Sequence, residues 1–94
     1  MEPVTNPIED VLDLHNFKPG DVPDLLNEYF IACIEKGIFS VRIIHGKGKG
    51  ILKQNVRKAL NKNILVESFR EAPPESGGWG ATMVKLKGEI EIQY

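Results

Sequence analysis

What is scarce in this sequence narrows it first. A single cysteine, Cys33, leaves no internal disulfide to form, and one cysteine with two histidines cannot assemble a usual structural zinc site. No apolar run approaches the length of a membrane span. The acidic opening Met1-Glu2-Pro3 does not resemble a signal peptide, and a cytoplasmic, monomeric domain with no membrane partner is expected. The 94 residues suffice for one hydrophobic core and not for a second lobe. With 41% hydrophobic and 27% charged residues, the composition is that of a globular chain rather than a disordered one.

The net charge of −1 conceals a segregation. From Gly46 to Lys62 the chain carries Lys47, Lys49, Lys53, Arg57, Lys58 and Lys62 and no acidic residue. That stretch is +6, and the remainder is −7. Positive charge gathered in one segment points to an anionic partner more directly than a high isoelectric point would.

Hydrophobic period divides the chain. Residues 1–9, with Pro3 and Pro7, read as an irregular lead-in. Residues 11–15 alternate and predict a short strand. A Lys18-Pro19-Gly20 turn follows, and Asp21 with Asp24 predicts a helix start. Val22, Leu25, Leu26, Tyr29, Phe30, Cys33 and Ile34 then recur at three and four residues, an amphipathic helix closed by Gly37. Residues 41–44 predict a second strand, and a glycine-lysine loop leads to a second helix over residues 51–61. Residues 64–69 and 81–86 predict a third and a fourth strand, antiparallel because the loop at 73–78 is too short for a crossover. Residues 88–94 read as an extension or fifth, edge strand. The expected fold is α/β, an α+β two-layer sandwich of order βαβαββ, with two helices on one face of a mixed four-stranded sheet. Its other face is left open as a platform for an extended ligand.

The chemistry gathers at one edge. Asp13 and His15 lie two apart, so on a continuous strand their side chains leave the same face. His45 closes the second strand. If the first two strands are parallel neighbours, all three residues meet at the carboxyl edge of the sheet, where open α/β sheets bind ligands. Gly46-Lys47-Gly48-Lys49-Gly50 follows at once, ahead of the second helix. Glycines let the backbone approach an anion, and the helix start offers free N–H groups and its positive dipole end. A phosphate is the natural guest. The loop lacks the Walker A spacing, and Ile51 breaks a dinucleotide fingerprint. Lys49, Lys53 and Arg57 fall at i, i+4 and i+8, a stripe suited to a repeating phosphate backbone rather than to one nucleotide.

Three segments in order resemble the Smr (small MutS-related) domain: Leu12-Asp13-Leu14-His15, then His45-Gly46-Lys47-Gly48-Lys49-Gly50, then Gly77-Gly78-Trp79-Gly80-Ala81-Thr82. They match the family's LDxH, HGxGxG and GGxGAT motifs, and the likeness spans residues 10–87. Where many members have glycine after the LDxH histidine, this chain has Asn16, which tolerates the left-handed conformation such a turn would use. The resemblance implies a fold like the C-terminal domain of translation initiation factor three, nucleic-acid binding and, in several members, an endonuclease that nicks DNA or cleaves RNA.

The residues suggest the same roles independently. Phosphodiester cleavage needs proton transfer and stabilisation of charge on the phosphoryl oxygens. His15 and His45 could share acid and base work, with Asp13 orienting one of them or holding a weakly bound Mg²⁺. Gly46, Lys47, Gly48, Lys49, Gly50, Lys53 and Arg57 would hold the backbone. Only Asp13, with Asp10 a distant second, is placed for a metal, which favours acid–base cleavage of RNA over metal-dependent DNA nicking. A non-catalytic RNA- or ribosome-binding module is the alternative. A small-molecule phosphate binder fits the stripe least.

Overall fold

The structure, a computed structural model, describes residues 9–47 and 50–87. Residues 1–8, Gly48 and Lys49, and the expected edge strand at 88–94 lie outside the described residues. Four strands form one sheet: β1 (Glu9–Asp13), β2 (Ser40–Ile44), β3 (Val66–Glu71) and β4 (Ala81–Leu86). Their spatial order is β1-β2-β4-β3, with β1 parallel to β2 and β4 antiparallel to both its neighbours. Two helices, α1 (Val22–Glu35) and α2 (Ile51–Lys62), complete the expected βαβαββ order. Strand β3 must therefore pass over β4 to reach the far edge, and α2 makes that crossover. Two crossovers of the usual right hand, advancing in one direction across the sheet, put both helices on one face. They touch each other and share one buried cluster with the sheet.

Strand alternation supplies the other half of that cluster. Leu14, Val41, Ile43, Val84 and Leu86 turn toward the helices, where Val22, Leu26, Phe30, Cys33, Val56 and Leu60 meet them. Burying a side chain the size of Phe30, Leu26 or Ile43 contributes about 1.5–3 kcal/mol each. Asp10 shares the helix face of β1, and the Tyr29 hydroxyl donates to its Oδ2 at 2.8 Å. Burial, with this acceptor beside it, pushes the Tyr29 phenol pKa up. Tyr29 is thus half core and half polar tether.

The elements differ from the sequence reading at their ends. β1 stops at Asp13, because Phe17 N–H donates to the Leu14 carbonyl at 2.9 Å and turns the chain away. His15 and Asn16 therefore lie in a turn, not on the strand. No described residue other than glycine has positive φ, so Asn16 makes its turn without the left-handed conformation. Asp21 precedes α1 without a side-chain cap bond; a 3-10 turn at Pro19–Asp21 leads straight into the helix instead. Gly37, at φ 78°, closes α1 as expected. β3 begins at Val66, two residues late, because Asn63 folds back to accept the Leu65 N–H at 2.8 Å. Its pairing with β4 carries an irregularity between Val66 and Ser68.

Candidate functional site

The register of β1 against β2 sets the site. Asp13 stands beside Ile44, and Leu14 N–H donates to the Ile44 carbonyl at 2.8 Å. The turn at His15 and the glycine-lysine loop after His45 thus leave neighbouring strands at the same edge. The side chains do not all converge there. Asp13 shares with Ile44 the face away from the helices, whereas His45, one residue further on, turns to the helix face. The expected trio of Asp13, His15 and His45 is split by this alternation into an exposed pair and a buried single.

The exposed pair is a dyad. His15 Nδ1 and Asp13 Oδ1 are 2.6 Å apart, and the same oxygen accepts the His15 backbone N–H at 3.0 Å. Those two bonds, the backbone one foremost, hold the Asp13 carboxyl below its ordinary pKa of 3.8. In the neutral ring, an ionised Asp13 takes Nδ1–H as its donor and leaves Nε2 as the lone-pair nitrogen, on a side chain that is 57% exposed. Proton exchange with a bound ligand is open to it.

His45 is sealed. It is 5% exposed, and both its ring nitrogens are engaged within the fold. Nδ1 lies 3.0 Å from the Gly46 carbonyl and Nε2 lies 2.9 Å from Thr82 Oγ1, itself fully buried. A carbonyl can only accept, so Nδ1 carries the hydrogen and Nε2 accepts from the threonine hydroxyl. Burial, reinforced by Lys53 and Arg57, pushes the His45 pKa below 6.5, against the pull of the Gly46 carbonyl. Above about pH 6.5 the ring is therefore neutral, and its two bonds fix the strand end.

The loop is anchored to the segment that precedes β4. The His45 and Gly46 N–H groups both donate to the Gly80 carbonyl, at 3.0 and 2.9 Å. The approach is close enough that a Cβ on Gly80 would meet Lys47 Cγ at 3.1 Å. Gly46 and Gly50 take φ values of 83° and 82°, which favour glycine, and Gly50 starts α2 with no side-chain cap. Lys47 is exposed at this bend.

The basic stripe is only partly a solvated face. Lys49 lies outside the described residues. Lys53, with its side chain 20% exposed, sits 3.5 Å from Glu71 Oε1 and 5.6 Å from the centre of the Trp79 ring. Arg57 is half-buried, and its Nε has no partner among the described residues. Lys58 and Lys62 are exposed. Glu67, also exposed, lies at the irregular start of β3. No group of three His, Cys, Asp or Glu side chains among the described residues converges to hold a metal ion. Asp13 is engaged by His15, and Asp10 is on the opposite face with Tyr29.

The Smr domain model matches residues 12–87. This chain belongs to the Smr domain family. It is 40% identical over 76 residues to endonuclease MutS2 of Lactiplantibacillus plantarum, covering 81% of this chain and 10% of that protein. Against endonuclease MutS2 of Thermus thermophilus the identity is 49% over 51 residues, 54% of this chain and 7% of the relative. The chain spans about a tenth or less of the length of these two curated relatives. The crystal structure of the Smr domain of Thermus thermophilus MutS2 superposes with a TM-score of 0.77 at 35% identity, covering 82% of this chain and 96% of that one. YdaL, a stand-alone small MutS-related protein from Escherichia coli, superposes at 0.73 with 27% identity, covering 81% and 63%.

Within this Smr domain, three residues beside the loop carry no sequence-derived role. Thr82 holds His45 from 37 positions away, a pairing that needs the β2–β4 register to be seen. Glu71 and Trp79 flank Lys53. Trp79 was visible as the variable residue of the GGxGAT motif, and its size there was the available signal.

Proposed function

We propose that this Smr domain binds single-stranded or structured RNA by its phosphate backbone and cleaves it by acid–base chemistry, with His15 as the catalytic group and Asp13 as the residue that orients it. The observation that carries the reading is the exposed Asp13–His15 dyad at the sheet edge from which the Gly46–Gly50 loop also departs. Kinship to proteins named endonuclease MutS2 supports a nuclease in general terms.

With His45 engaged on both nitrogens, a single accessible imidazole remains among the described residues. RNA suits one imidazole, because its 2′-hydroxyl is an internal nucleophile. His15 Nε2 takes the 2′-hydroxyl proton as the P–O2′ bond forms. The P–O5′ bond breaks, and the leaving 5′-oxygen takes a proton from the imidazolium or from water. Lys47, exposed at the bend, would bear the charge on the phosphoryl oxygens. Ionised Asp13 stabilises the imidazolium and holds its Nδ1. DNA lacks the 2′-hydroxyl, so this route predicts RNA as substrate and DNA as a competitor for binding only.

The deciding experiment is cleavage of matched RNA and DNA strands, with and without EDTA, by wild type and His15→Ala purified alike. RNA cleavage that survives EDTA and disappears with His15 is expected. Binding without cleavage of either strand would leave a non-catalytic RNA-binding module. Equal cleavage by the variant would mean the wrong residue or a contaminating nuclease.

A further inference from the structure

Trp79 is 60% exposed, an unusual place for the largest apolar side chain of the protein. It stands on a 3-10 turn, Gly78–Gly80, whose last residue holds the glycine-lysine loop. A groove of about 320 Å³ opens beside it, lined among others by Lys47, Glu71, Ala72, Pro74 and Gly78. That volume lies at the small end of sites that take compact ligands. Lys53 Nζ lies over the ring at 5.6 Å and is braced by Glu71 at 3.5 Å. The indole is thereby oriented by a cation on one side while most of its surface stays in water.

The groove differs in character from the phosphate cradle next to it. Glu71 contributes a carboxylate, which repels a phosphate and accepts hydrogen bonds from N–H groups. Ala72, Pro74 and the indole supply apolar wall. An aromatic plate, an acceptor and a flanking lysine match a nucleobase attached to a backbone phosphate. Resting on the nucleic-acid reading above, we propose that this groove receives one unstacked base of a single strand, stacked on Trp79, while Lys47 holds the adjoining phosphate. The domain thereby selects single-stranded segments over duplex, whose bases are already paired and stacked.

Trp79 is the one tryptophan of the chain, so its emission reports the groove directly. The probes are a 12-nucleotide DNA strand, which the proposed chemistry does not cut, its duplex with a complementary strand, and an abasic 12-mer with the same phosphates. Binding is followed in parallel by anisotropy of an end label. The single strand should quench or shift Trp79 emission with the same midpoint as the anisotropy. The duplex and the abasic strand should bind more weakly and leave the emission nearly unchanged. Trp79→Ala should weaken single-strand binding by about five- to a hundredfold, Trp79→Phe much less, and neither should alter abasic binding. Anisotropy that rises while the emission stays fixed, or abasic and duplex affinities equal to the single strand's, would overturn the base groove and leave backbone binding standing. No binding of any probe would overturn the proposed function itself.

Discussion

His15 and His45 follow the C-terminal ends of adjacent parallel strands, yet one ring stands in solvent and the other is enclosed. The difference arises from one residue of phase. His45 directly follows Ile44, so strand alternation carries it to the helix face and onto Thr82. His15 lies two residues beyond Asp13, in a turn, where Asp13 and not the sheet directs its ring. An imidazole with both nitrogens bonded inside the fold braces a backbone; one with a free nitrogen can trade protons. Both are histidines of a family motif, and surroundings separate them.

The contrast is most sharply tested by removing each ring. His15→Ala should lower RNA cleavage by roughly a hundredfold or more, the usual contribution of a general acid or base. Its thermal stability should move by no more than about 0.5 kcal/mol, as expected of an exposed site. His45→Ala should instead unfold more easily, by about 2–4 kcal/mol, since it leaves a cavity and an unpartnered Thr82 hydroxyl. Thr82→Val, which keeps the shape and strands His45 Nε2 without its donor, should cost about 1–3 kcal/mol in denaturant titration. If His45→Ala proved as stable as wild type and His15→Ala did not, the two roles would have to be exchanged.

Titration sharpens the same comparison. The folded His45 pKa lies below 6.5, so the unfolded chain binds the proton more readily. Its contribution to stability is complete above about pH 6.5 and is lost as pH falls from there through the depressed folded value. Asp13, also lowered, adds a second loss that begins only below about pH 3.8. Unfolding free energies measured from pH 8 to pH 3 should show the upper step in wild type and His15→Ala and lack it in His45→Ala. The smallest expected effect is electrostatic. Lys47→Ala should leave stability unchanged and reduce the slope of log affinity against log salt by about 1.

Most of the architecture was legible in period and punctuation. The stripe from Val22 to Ile34 and Gly37 at its end marked α1, and the antiparallel closing pair followed from the short loop at 73–78. The local errors share a cause. Pro19–Asp21 and Asn63 make short-range hydrogen bonds that reset where an element begins, and hydrophobic period is blind to them. The site was legible as a neighbourhood, because β1 and β2 are parallel and in register, but not as a geometry. Asp13 and His15 do meet, through the turn after Leu14 rather than along β1, whereas alternation on β2 carries the His45 ring to the helix face and away from them. The i, i+4 spacing of Lys53 and Arg57 was visible, but not that Glu71 and Trp79 would come from the far strand and its loop to claim Lys53.

The Gly80 carbonyl, which accepts from two consecutive amides, has a consequence for motion. Because His45 N–H and Gly46 N–H share that one acceptor, neither can exchange its hydrogen with solvent unless the end of β2 parts from the start of β4. The two amides should therefore exchange together and slowly, at the rate of sheet opening rather than of loop fraying. The first residues of the lysine loop then behave as an extension of the sheet. They meet a ligand as a preset ledge and not as a closing flap.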